Sequence, residues 1–498
     1  MTELHELTAL QLAAAYRRGE TSPIEVMDHL LARIGHGDRV GAFTTVSADL
    51  ARTAAAEAER VLRSADRTEL PRLFGVPTAI KDLEATAGVR TTLGSALFRD
   101  WIPGHNDEIV DVMADAGLIS LGKTTVPEFG AACYTEPEVS APARSPFDLN
   151  RSAAGSSGGA AAAVGALLVP IAQGSDTAGS VRSPASACGV VGLKPSRGLV
   201  TAGPAGHDGM GLSVRGPLAR TVRDTAAFLD ALTTRTGAGT VHPPRAVSYE
   251  RACEMPLPRL RVALAQGSVS GGPVDAEVAA AAELTARTLA GLGHDVFARD
   301  QAADPEFTES FRTMFTALVG ARAMAFDRTA LRPIVRHLLL RSQALTSGEL
   351  AASIGVVQAR ARAWALHHTD ADIVITPTVT TPPTLIGRLR DDADPAAELA
   401  AMTAFTGNTV LGNATGFPVI SLPLGWSCEG LPLGVSLTAG WGREDLLFGV
   451  SAALEEAMPW AHRYAGRAEA RAAAREQGRE SGNFPDPSRV ADDDLIVR

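Results

Sequence analysis

The chain has 498 residues, of which 45% are hydrophobic and 20% charged, and its formal net charge at pH 7 is −10. This composition is typical of a globular protein with ample core, and the length alone would allow about two to four domains. The negative charge gives no reason to expect nucleic acid binding, because proteins that bind nucleic acid carry basic patches. The sequence has no apolar run of the ~18 residues that span a membrane, and its N-terminus does not resemble a signal peptide, so we expect a cytoplasmic protein.

The N-terminal part alternates helical and strand-like patterns. Two helical patterns lie within residues 7–35, separated by a turn in which Thr21 or Ser22 can cap the second helix. An alanine-rich helix is predicted over about residues 47–64, and an apolar, strand-like run then ends at Lys81. Burial at the end of such a strand would remove water from the lysine ammonium and disfavour its charged form.

A further helix and strand follow the Lys81 run. The helix is predicted over residues 106–117, with Asn106 as its N-cap, and the strand over residues 118–121. Residues 117–124 also match the phosphate-loop formula GxxxxGK[ST] letter for letter. A phosphate loop follows a strand and opens a helix, whereas here the middle of the formula is itself strand-like, so we reject nucleotide binding.

The central stretch, residues 151–195, is rich in glycine and serine. Two clusters, GSSGG at 155–159 and GSDTAGS at 174–180, bracket a short apolar run that is predicted to be a buried helix leading into a strand. Glycine at this density lets backbone N–H groups turn inward, as an oxyanion-binding loop requires, and a flexible linker would lack the embedded helix. The first cluster also fits the G-x-S-x-G elbow of α/β-hydrolases, but the residues before it are not strand-like, so we reject that interpretation.

The second half continues the α/β alternation. Residues 258–296 are predicted to form a strand and a helix, and residues 371–437 contain short strands that rejoin the sheet. Between them, five apolar residues repeat at helical spacing: Phe307, Phe311, Met314, Phe315 and Leu318. Such a stripe more often packs in a core than against a ligand. Residues 466–498 are predicted to form a helical extension and a mobile tail.

The four cysteines give no sign of a disulfide scaffold or a zinc site. They are far apart and form no CxxC pair: Cys133, Cys188, Cys253 and Cys428. We expect free thiols, most of them buried.

Motifs along most of the chain resemble those of the amidase signature hydrolases. The resemblance rests on GVPTAIKD, which contains Lys81, on GSSGG and GSDTAGSVRSP, in which Ser180 stands 24 positions after Ser156, and on CGVVGLKPSRG. It extends to GPLARTVRD, ITPT and NATGFPVISLPLG. The runs TEPE, GSDTAGSVRSPAS and GREDLL are also similar to the 6-aminohexanoate cyclic dimer hydrolase branch of that family.

The motifs and the alternation of strands and helices predict one large α/β domain over residues 1–465. The resemblance implies a mixed central β-sheet covered by helices on both faces. In the family, the segment between the motif-bearing blocks covers the acyl pocket, so part of the apolar stripe would line the substrate. We divide the domain into N-terminal helices, a catalytic core, a variable substrate-covering part, and return strands with a helix: 1–65, 66–230, 231–370 and 371–465.

The resemblance implies a Ser-Ser-Lys triad, in which Ser180 is the nucleophile, Ser156 relays its proton and Lys81 is the base. A serine attacks a carbonyl only if a group takes its proton, and a lysine can do so only when it is neutral. Taken alone, a serine in a glycine-rich loop is more often structural. Ser157 is expected to support the loop by hydrogen bonding, and the resemblance implies a cis peptide bond before Ser156.

The resemblance also implies an oxyanion hole next to the nucleophile. Its donors are expected to be four backbone N–H groups, those of Thr177, Ala178, Gly179 and Ser180. Ala178 stands where many relatives carry glycine, so the loop conformation differs slightly or the pocket is smaller. Asp176 and Arg182 flank the nucleophile, and we expect them to pair with each other in a structural role.

These features predict an amidohydrolase that cleaves a linear or cyclic carboxamide through an acyl-Ser180 intermediate. The alternatives are acyl transfer to an amine in a biosynthetic pathway, an amidotransferase component of the A type working in a complex, and a binding scaffold without catalysis. Amidotransferase relatives commonly carry glutamine where this chain has Ser183, and the retained triad argues against a scaffold. We expect no cofactor, no metal, a small-molecule amide as the partner, and neither nucleic acid nor membrane, with a homodimer left open.

Overall fold

A computed structural model of the protein describes residues 3–36, 38–203, 209–234 and 247–464. The chain up to Met458 forms one compact unit, and of the second unit the structure describes residues 459–464. The division at Met458 comes before the domain end that we predict at residue 465. The predicted helical extension and tail, residues 466–498, lie outside the described residues.

The strands of the described residues form two sheets. In chain order they are β1 (Phe43–Val46), β2 (Pro77–Lys81), β3 (Ile119–Thr124), β4 (Ile171–Asp176), β5 (Val191–Lys194), β6 (Val214–Ala219), β7 (Arg261–Gln266), β8 (Asp295–Asp300), β9 (Ile373–Pro377), β10 (Val419–Trp426) and β11 (Pro432–Ala439). The larger sheet has the order β4-β6-β5-β10-β11-β9-β7-β8 and the smaller one the order β1-β3-β2. The larger sheet is mixed, because β9, β7 and β8 run parallel to one another while the other neighbours are antiparallel.

Helices flank the larger sheet on both faces, which confirms the predicted fold class. They are α1 (Ala9–Arg18), α2 (Pro23–Gly35), α3 (Ala48–Ser64), α4 (Glu108–Asp115), α5 (Gly158–Gly165), α6 (Arg182–Cys188), α7 (Val222–Leu232), α8 (Tyr249–Ala252), α9 (Ala276–Gly291), α10 (Pro305–Ala323), α11 (Pro333–Ala344), α12 (Ser347–His367), α13 (Pro395–Thr406), α14 (Thr409–Thr415) and α15 (Glu444–Ala457). Within the described ranges, none of these helices is both long and apolar enough to cross a lipid bilayer.

The strand that ends at Lys81 belongs to the smaller sheet rather than to the central one. Its link to β4 is made by side chains: the Lys81 N–H donates to Gln173 Oε1 at 2.9 Å, and Thr78 Oγ1 donates to the Ile171 carbonyl at 3.2 Å. These side-chain bonds stand where a backbone ladder would join the two sheets. The catalytic candidates on β2 and β4 therefore lie side by side although their strands belong to different sheets.

Local signals located most helix starts correctly, with one error at α4. The Ser22 side chain accepts from the Glu25 N–H at the start of α2, as predicted. At α4 the N-cap position is Asp107, not Asn106. Asn106 is engaged elsewhere, because its Oδ1 accepts from the Ala87 N–H and its Nδ2 donates to Asp111.

The phosphate-loop formula at residues 117–124 is not a loop in the structure. Its lysine and following threonine, Lys123 and Thr124, lie inside β3, and both side chains are buried. Lys123 Nζ donates to Thr91 Oγ1 at 3.0 Å and lies 3.7 Å from Asp82 Oδ1. The strand assignment from sequence is confirmed, and this lysine serves the interior of the fold.

The four cysteines are free thiols, but fewer are buried than we expect from the sequence. Cys133 and Cys188 are buried, Cys253 is half-buried and Cys428 is exposed. Cys428 lies in the turn between β10 and β11, where the chain reverses at the surface.

Candidate active site

The central stretch folds into a helix, a strand and a loop that place its serines. α5 begins directly after Ser157 and is buried along its whole length, as an all-apolar helix requires. β4 follows, and the loop 177–181 leads into α6. The peptide bond between Gly155 and Ser156 is cis, as the resemblance implies. Only glycine fits at position 155, because a Cβ there would lie 2.7 Å from the backbone N of Tyr134.

Lys81, at the end of β2, and Ser156, just before α5, are in direct contact. Lys81 Nζ donates to Ser156 Oγ at 2.9 Å and to the Ser175 carbonyl at 3.0 Å. The lysine side chain has no solvent exposure, and Ser156 is 3% exposed. Two of the three predicted catalytic residues therefore form a buried hydrogen-bonded pair.

Burial lowers the pKa of Lys81 from 10.5 to about 7. The carboxylates of Glu84 and Asp176 favour the charged lysine and oppose this effect, whereas the guanidinium groups of Arg322 and Arg215 add to it. Because the loss of solvation dominates, a substantial fraction of Lys81 is neutral near pH 7. The neutral amine is the form that can accept a proton.

Two residues to which the sequence analysis assigns no role, Gln173 and Glu84, connect Lys81 to Arg215. The Gln173 side chain accepts from the Lys81 N–H and donates from Nε2 to Glu84 Oε1 at 3.3 Å. The Glu84 carboxylate is buried and accepts two hydrogen bonds of 3.2 Å from Arg215. Burial raises the pKa of Glu84, but Arg215 outweighs that effect and the net pKa lies below the usual value. An ionised carboxylate thus stands next to the lysine.

Ser180, the predicted nucleophile, is joined to the serine cluster through its backbone. The Ser157 N–H donates to the Ser180 carbonyl at 3.1 Å, and Ser157 Oγ donates to the Ser175 carbonyl at 3.2 Å. Ser157 is fully buried, whereas Ser180 is half-buried and lines a cavity. The structure therefore places Ser157 between the two loops and leaves Ser180 accessible to a ligand.

Asp176 and Arg182 form a fully buried ion pair at 2.8 Å. Burial raises the pKa of the Asp176 carboxyl, but Arg182 and the hydrogen bonds from Asn413 and Gly179 outweigh it, so the pKa lies well below its usual range. Asn413 Nδ2 donates to Asp176 Oδ1 at 3.0 Å, and Arg182 Nη2 donates to Asn413 Oδ1 at 2.7 Å. These three side chains lock the two ends of the nucleophile loop to α14.

The loop backbone differs from the expected oxyanion hole at Gly179. Its N–H donates to Asp176 Oδ1 at 2.8 Å, so this donor holds the loop instead of pointing at a substrate. Gly179 has φ +116°, and a Cβ there would lie 2.6 Å from Thr409 Oγ1. Only glycine meets both conditions. Ala178 is half-buried and lines the cavity next to Ser180, where its methyl group occupies space that a glycine would leave open.

Two cavities meet at Gly130, one on each side of the serines. The first, here called the Ser180 cavity, contains Ser180 and is mainly apolar; among its lining residues are Ala131, Cys133, Phe311, Phe315, Met402 and Val410. The second, here called the Ser156 cavity, contains Ser156 and is more polar; among its lining residues are Glu84, Thr177, Ser213, Arg215 and Arg322. Both cavities include Gly130 in their lining.

The apolar stripe predicted between 307 and 318 divides between core and cavities. Phe307 and Met314 pack in a core cluster against α12 and α14. Phe311 and Phe315 line the Ser180 cavity, and Leu318 lines the Ser156 cavity. α10 therefore contributes to both cavities, its middle turns to one and its last turns to the other.

The sequence profile of the family described as Amidase matches residues 25–448. The chain belongs to the amidase family. Among its relatives is the 6-aminohexanoate-cyclic-dimer hydrolase of Paenarthrobacter ureafaciens, 34% identical over 487 residues that cover 91% of this chain and 94% of that protein. The A-type component of the glutamyl-tRNA(Gln) amidotransferase of Thermus thermophilus is also 34% identical, covering 92% of this chain and 98% of that protein.

Solved structures agree with the sequence comparison. A structure of 6-aminohexanoate cyclic dimer hydrolase superposes on this amidase with a TM-score of 0.84 and 33% identity, covering 93% of this chain and 99% of the other. The amidase signature resemblance and the similarity to that branch are confirmed.

Several residues of this amidase site carry no local signal that would assign their roles. Gln173, Glu84 and Arg215 come from three separate segments, and none of them stands out in its own stretch. Asn413 lies in a motif that supported the resemblance, NATGFPVISLPLG, but the sequence does not indicate that its amide contacts Asp176. The position of Asn413 within that motif was the one available signal of a role.

Proposed function

We propose that the protein hydrolyses a carboxamide through a covalent acyl intermediate on Ser180, with Ser156 and Lys81 as the proton relay and base. The contact between Lys81 Nζ and Ser156 Oγ, made by a lysine without solvent exposure, is the observation that carries this proposal. The family assignment supplies the reaction class, and the geometry supplies a base whose neutral form is accessible near pH 7.

Acylation begins when neutral Lys81 accepts the proton of Ser156 while Ser156 accepts that of Ser180. The Ser180 Oγ–carbon bond forms at the same time, and negative charge moves to the carbonyl oxygen. We propose the N–H groups of Thr177, Ala178 and Ser180 as its donors, with Gly179 supporting the loop. Each such donor is worth ~3 kcal/mol in enzymes that use this device.

Collapse of the tetrahedral intermediate breaks the carbon–nitrogen bond. The leaving nitrogen takes the proton of Ser156, which recovers one from protonated Lys81, so the amine departs without negative charge. A water molecule then attacks the acyl carbon, gives its proton to the same relay and releases the acid, and Ser180 regains its proton. Lys81 is neutral again at the end of the cycle.

An amine instead of water in the second step would make the protein an acyltransferase, and activity only within a complex would make it an amidotransferase component. The similarity to the A-type component of the Thermus thermophilus amidotransferase keeps the second alternative in view. We favour the hydrolase, acting in the cytoplasm on a small amide, because position 183 is serine and the similarity to the cyclic dimer hydrolases is equally high.

Purified protein alone should convert simple amides to acid and amine without ATP or tRNA. A panel of aliphatic, aryl and cyclic amides, with products identified by mass spectrometry, tests this. Activity that appears only after a second protein is added would favour the amidotransferase, and acyl transfer to an added amine in preference to water would favour the transferase.

A further inference from the structure

The two cavities divide a bound amide at its scissile bond, if the proposed function is correct. The acyl carbon must be attached to Ser180 Oγ, while the leaving nitrogen must come within hydrogen-bond distance of Ser156 Oγ to take a proton. Ser180 lines one cavity and Ser156 the other. The acyl part therefore lies in the apolar Ser180 cavity, and the amine part extends into the Ser156 cavity.

The Ser156 cavity has an excess of positive charge. Among the described residues that line it, the charged ones are Glu84, Arg215 and Arg322. One carboxylate faces two guanidinium groups, and neutral Lys81 behind Ser156 adds no charge. An amine part that enters this cavity therefore meets a net positive surface.

Arg215 and Arg322 occupy different depths of the cavity. The Arg215 side chain is 19% exposed and is paired with the buried Glu84. Arg322, in the last turn of α10, is an exposed residue whose Nη1 donates to the Phe129 carbonyl at 3.3 Å. An amine part that starts at Ser156 thus passes Arg215 before it reaches Arg322 at the solvent side.

The wall next to Arg322 is built to hold a fixed shape. The rings of Phe129 and Phe326 are stacked at 5.8 Å with an angle of 10°, and both line the cavity. Phe98 packs edge-on against both rings. An alkyl segment can lie along this wall, with its far end at the guanidinium group of Arg322.

We propose that the Ser156 cavity binds the amine part of the substrate and that this part ends in a carboxylate, which Arg322 recognises with Arg215 behind it. A guanidinium group suits this role because its planar set of donors matches a carboxylate. The substrate class is then an N-acyl ω-amino carboxylate, with an apolar acyl chain on one side of the amide and an anionic amine part on the other.

The test compares N-hexanoyl ω-amino carboxylates whose amine part has two to six carbons with N-hexanoyl n-alkylamines and N-hexanoyl diaminoalkanes of equal length. Binding is measured by calorimetry on the Ser180→Ala variant, which needs no turnover. The best carboxylate should bind about ten- to a hundredfold more tightly than its uncharged match, the range of one charged hydrogen bond. The diaminoalkane derivative should bind most weakly.

Two further substitutions on that background separate recognition from general charge. Arg322→Gln should abolish the preference for the carboxylate, and Arg322→Lys should retain part of it. Arg312→Gln is the matched control, because Arg312 lines the Ser180 cavity on the same helix, and it should leave the ratio of the two dissociation constants unchanged.

Equal binding of the three series, tighter binding of the cationic series, or a preference that survives Arg322→Gln would overturn the inference. Turnover by the wild-type protein is measured separately with the same compounds. If none is cleaved although the carboxylates bind through Arg322, the proposed hydrolysis fails and the binding inference stands. If all are cleaved without preference, the reverse holds.

Discussion

Lys81 and Ser156 lie 75 positions apart in the sequence and 2.9 Å apart in the structure, in an interior without solvent exposure. The contact joins the end of a strand in the smaller sheet to the loop that precedes α5. A buried lysine destabilises a fold unless it has a use, because its charged form loses hydration. The chemistry proposed for this pair and the cost of keeping it buried can both be measured.

The activity should rise with pH as Lys81 loses its proton. We expect kcat/KM to increase through an apparent pKa near 7 and then to level off, since burial brings the pKa of Lys81 to about 7. Lys81→Arg should be nearly inactive over the whole range, because a guanidinium group does not deprotonate there. A Lys81→Arg variant that keeps much of the rate and the same profile would show that the residue serves only as a cation.

Removing the lysine should stabilise the fold, most strongly at low pH. The pKa of Lys81 is about 7 in the folded state and 10.5 as a free side chain, so folding expels a proton between these values. The lysine's contribution to stability therefore falls by about 1.4 kcal/mol for each pH unit from about 10.5 down to about 7, and is constant below.

Lys81→Met, which keeps an apolar stem of similar length, should accordingly raise the free energy of unfolding by a few kcal/mol at pH 6.5, after its two lost hydrogen bonds are subtracted. The gain should shrink at pH 9.5. Urea unfolding at both pH values measures it, and a gain that is equal at the two values would contradict the shifted pKa.

The Asp176–Arg182 pair should matter to both stability and activity. Asp176→Asn leaves the Arg182 charge buried without its anion, which costs about 3–5 kcal/mol, and it loosens the loop that carries Ser180. Thermal unfolding and amide turnover both report the loss. Glu20→Gln, which removes the exposed Arg18–Glu20 pair, is the control and should change neither quantity measurably. Near-native turnover in Asp176→Asn would show that the loop does not depend on the pair.

How far the sequence predicts the molecule depends on the range of the interactions. Helix starts, the strand at Lys81 and the fold class follow from local patterns and from motifs, because capping and periodicity act over a few residues. The Gln173 bridge to Lys81 spans 92 positions and joins two sheets, so no local pattern contains it. The same holds for the division of α10 between two cavities, which depends on what packs against each turn.

The oxyanion loop shows a finer limit. The motif identifies Thr177 to Ser180 as the loop, but it does not indicate that the Gly179 N–H is taken by Asp176. Hydrogen-bond direction depends on the backbone angles, and at Gly179 the φ value of +116° turns this N–H towards the carboxylate. A sequence pattern specifies which residues can adopt such angles, not which way each N–H points.

Gly179→Ala should therefore be harmful in two ways. The methyl group would meet Thr409 Oγ1 at 2.6 Å and adopt a φ that L-residues avoid, at a cost of about 1–3 kcal/mol, and the displaced N–H groups should lower kcat. Gly355→Ala is the control, because that glycine lies exposed within α12 with open space around it and alanine should stabilise the helix slightly. Unfolding and turnover assays on both variants decide, and equal behaviour of the two would contradict the loop geometry.

The nucleophile is tested most directly by covalent labelling with a fluorophosphonate, followed by intact-mass measurement and peptide mapping. Wild-type protein should gain one adduct, located on Ser180, and Ser180→Ala should gain none while unfolding at a similar temperature. Ser270→Ala, which alters another serine that lines the same cavity, should label like wild type. Labelling of Ser180→Ala to the same extent as wild type, or an adduct that maps to a different serine, would contradict the assignment of Ser180 as the nucleophile.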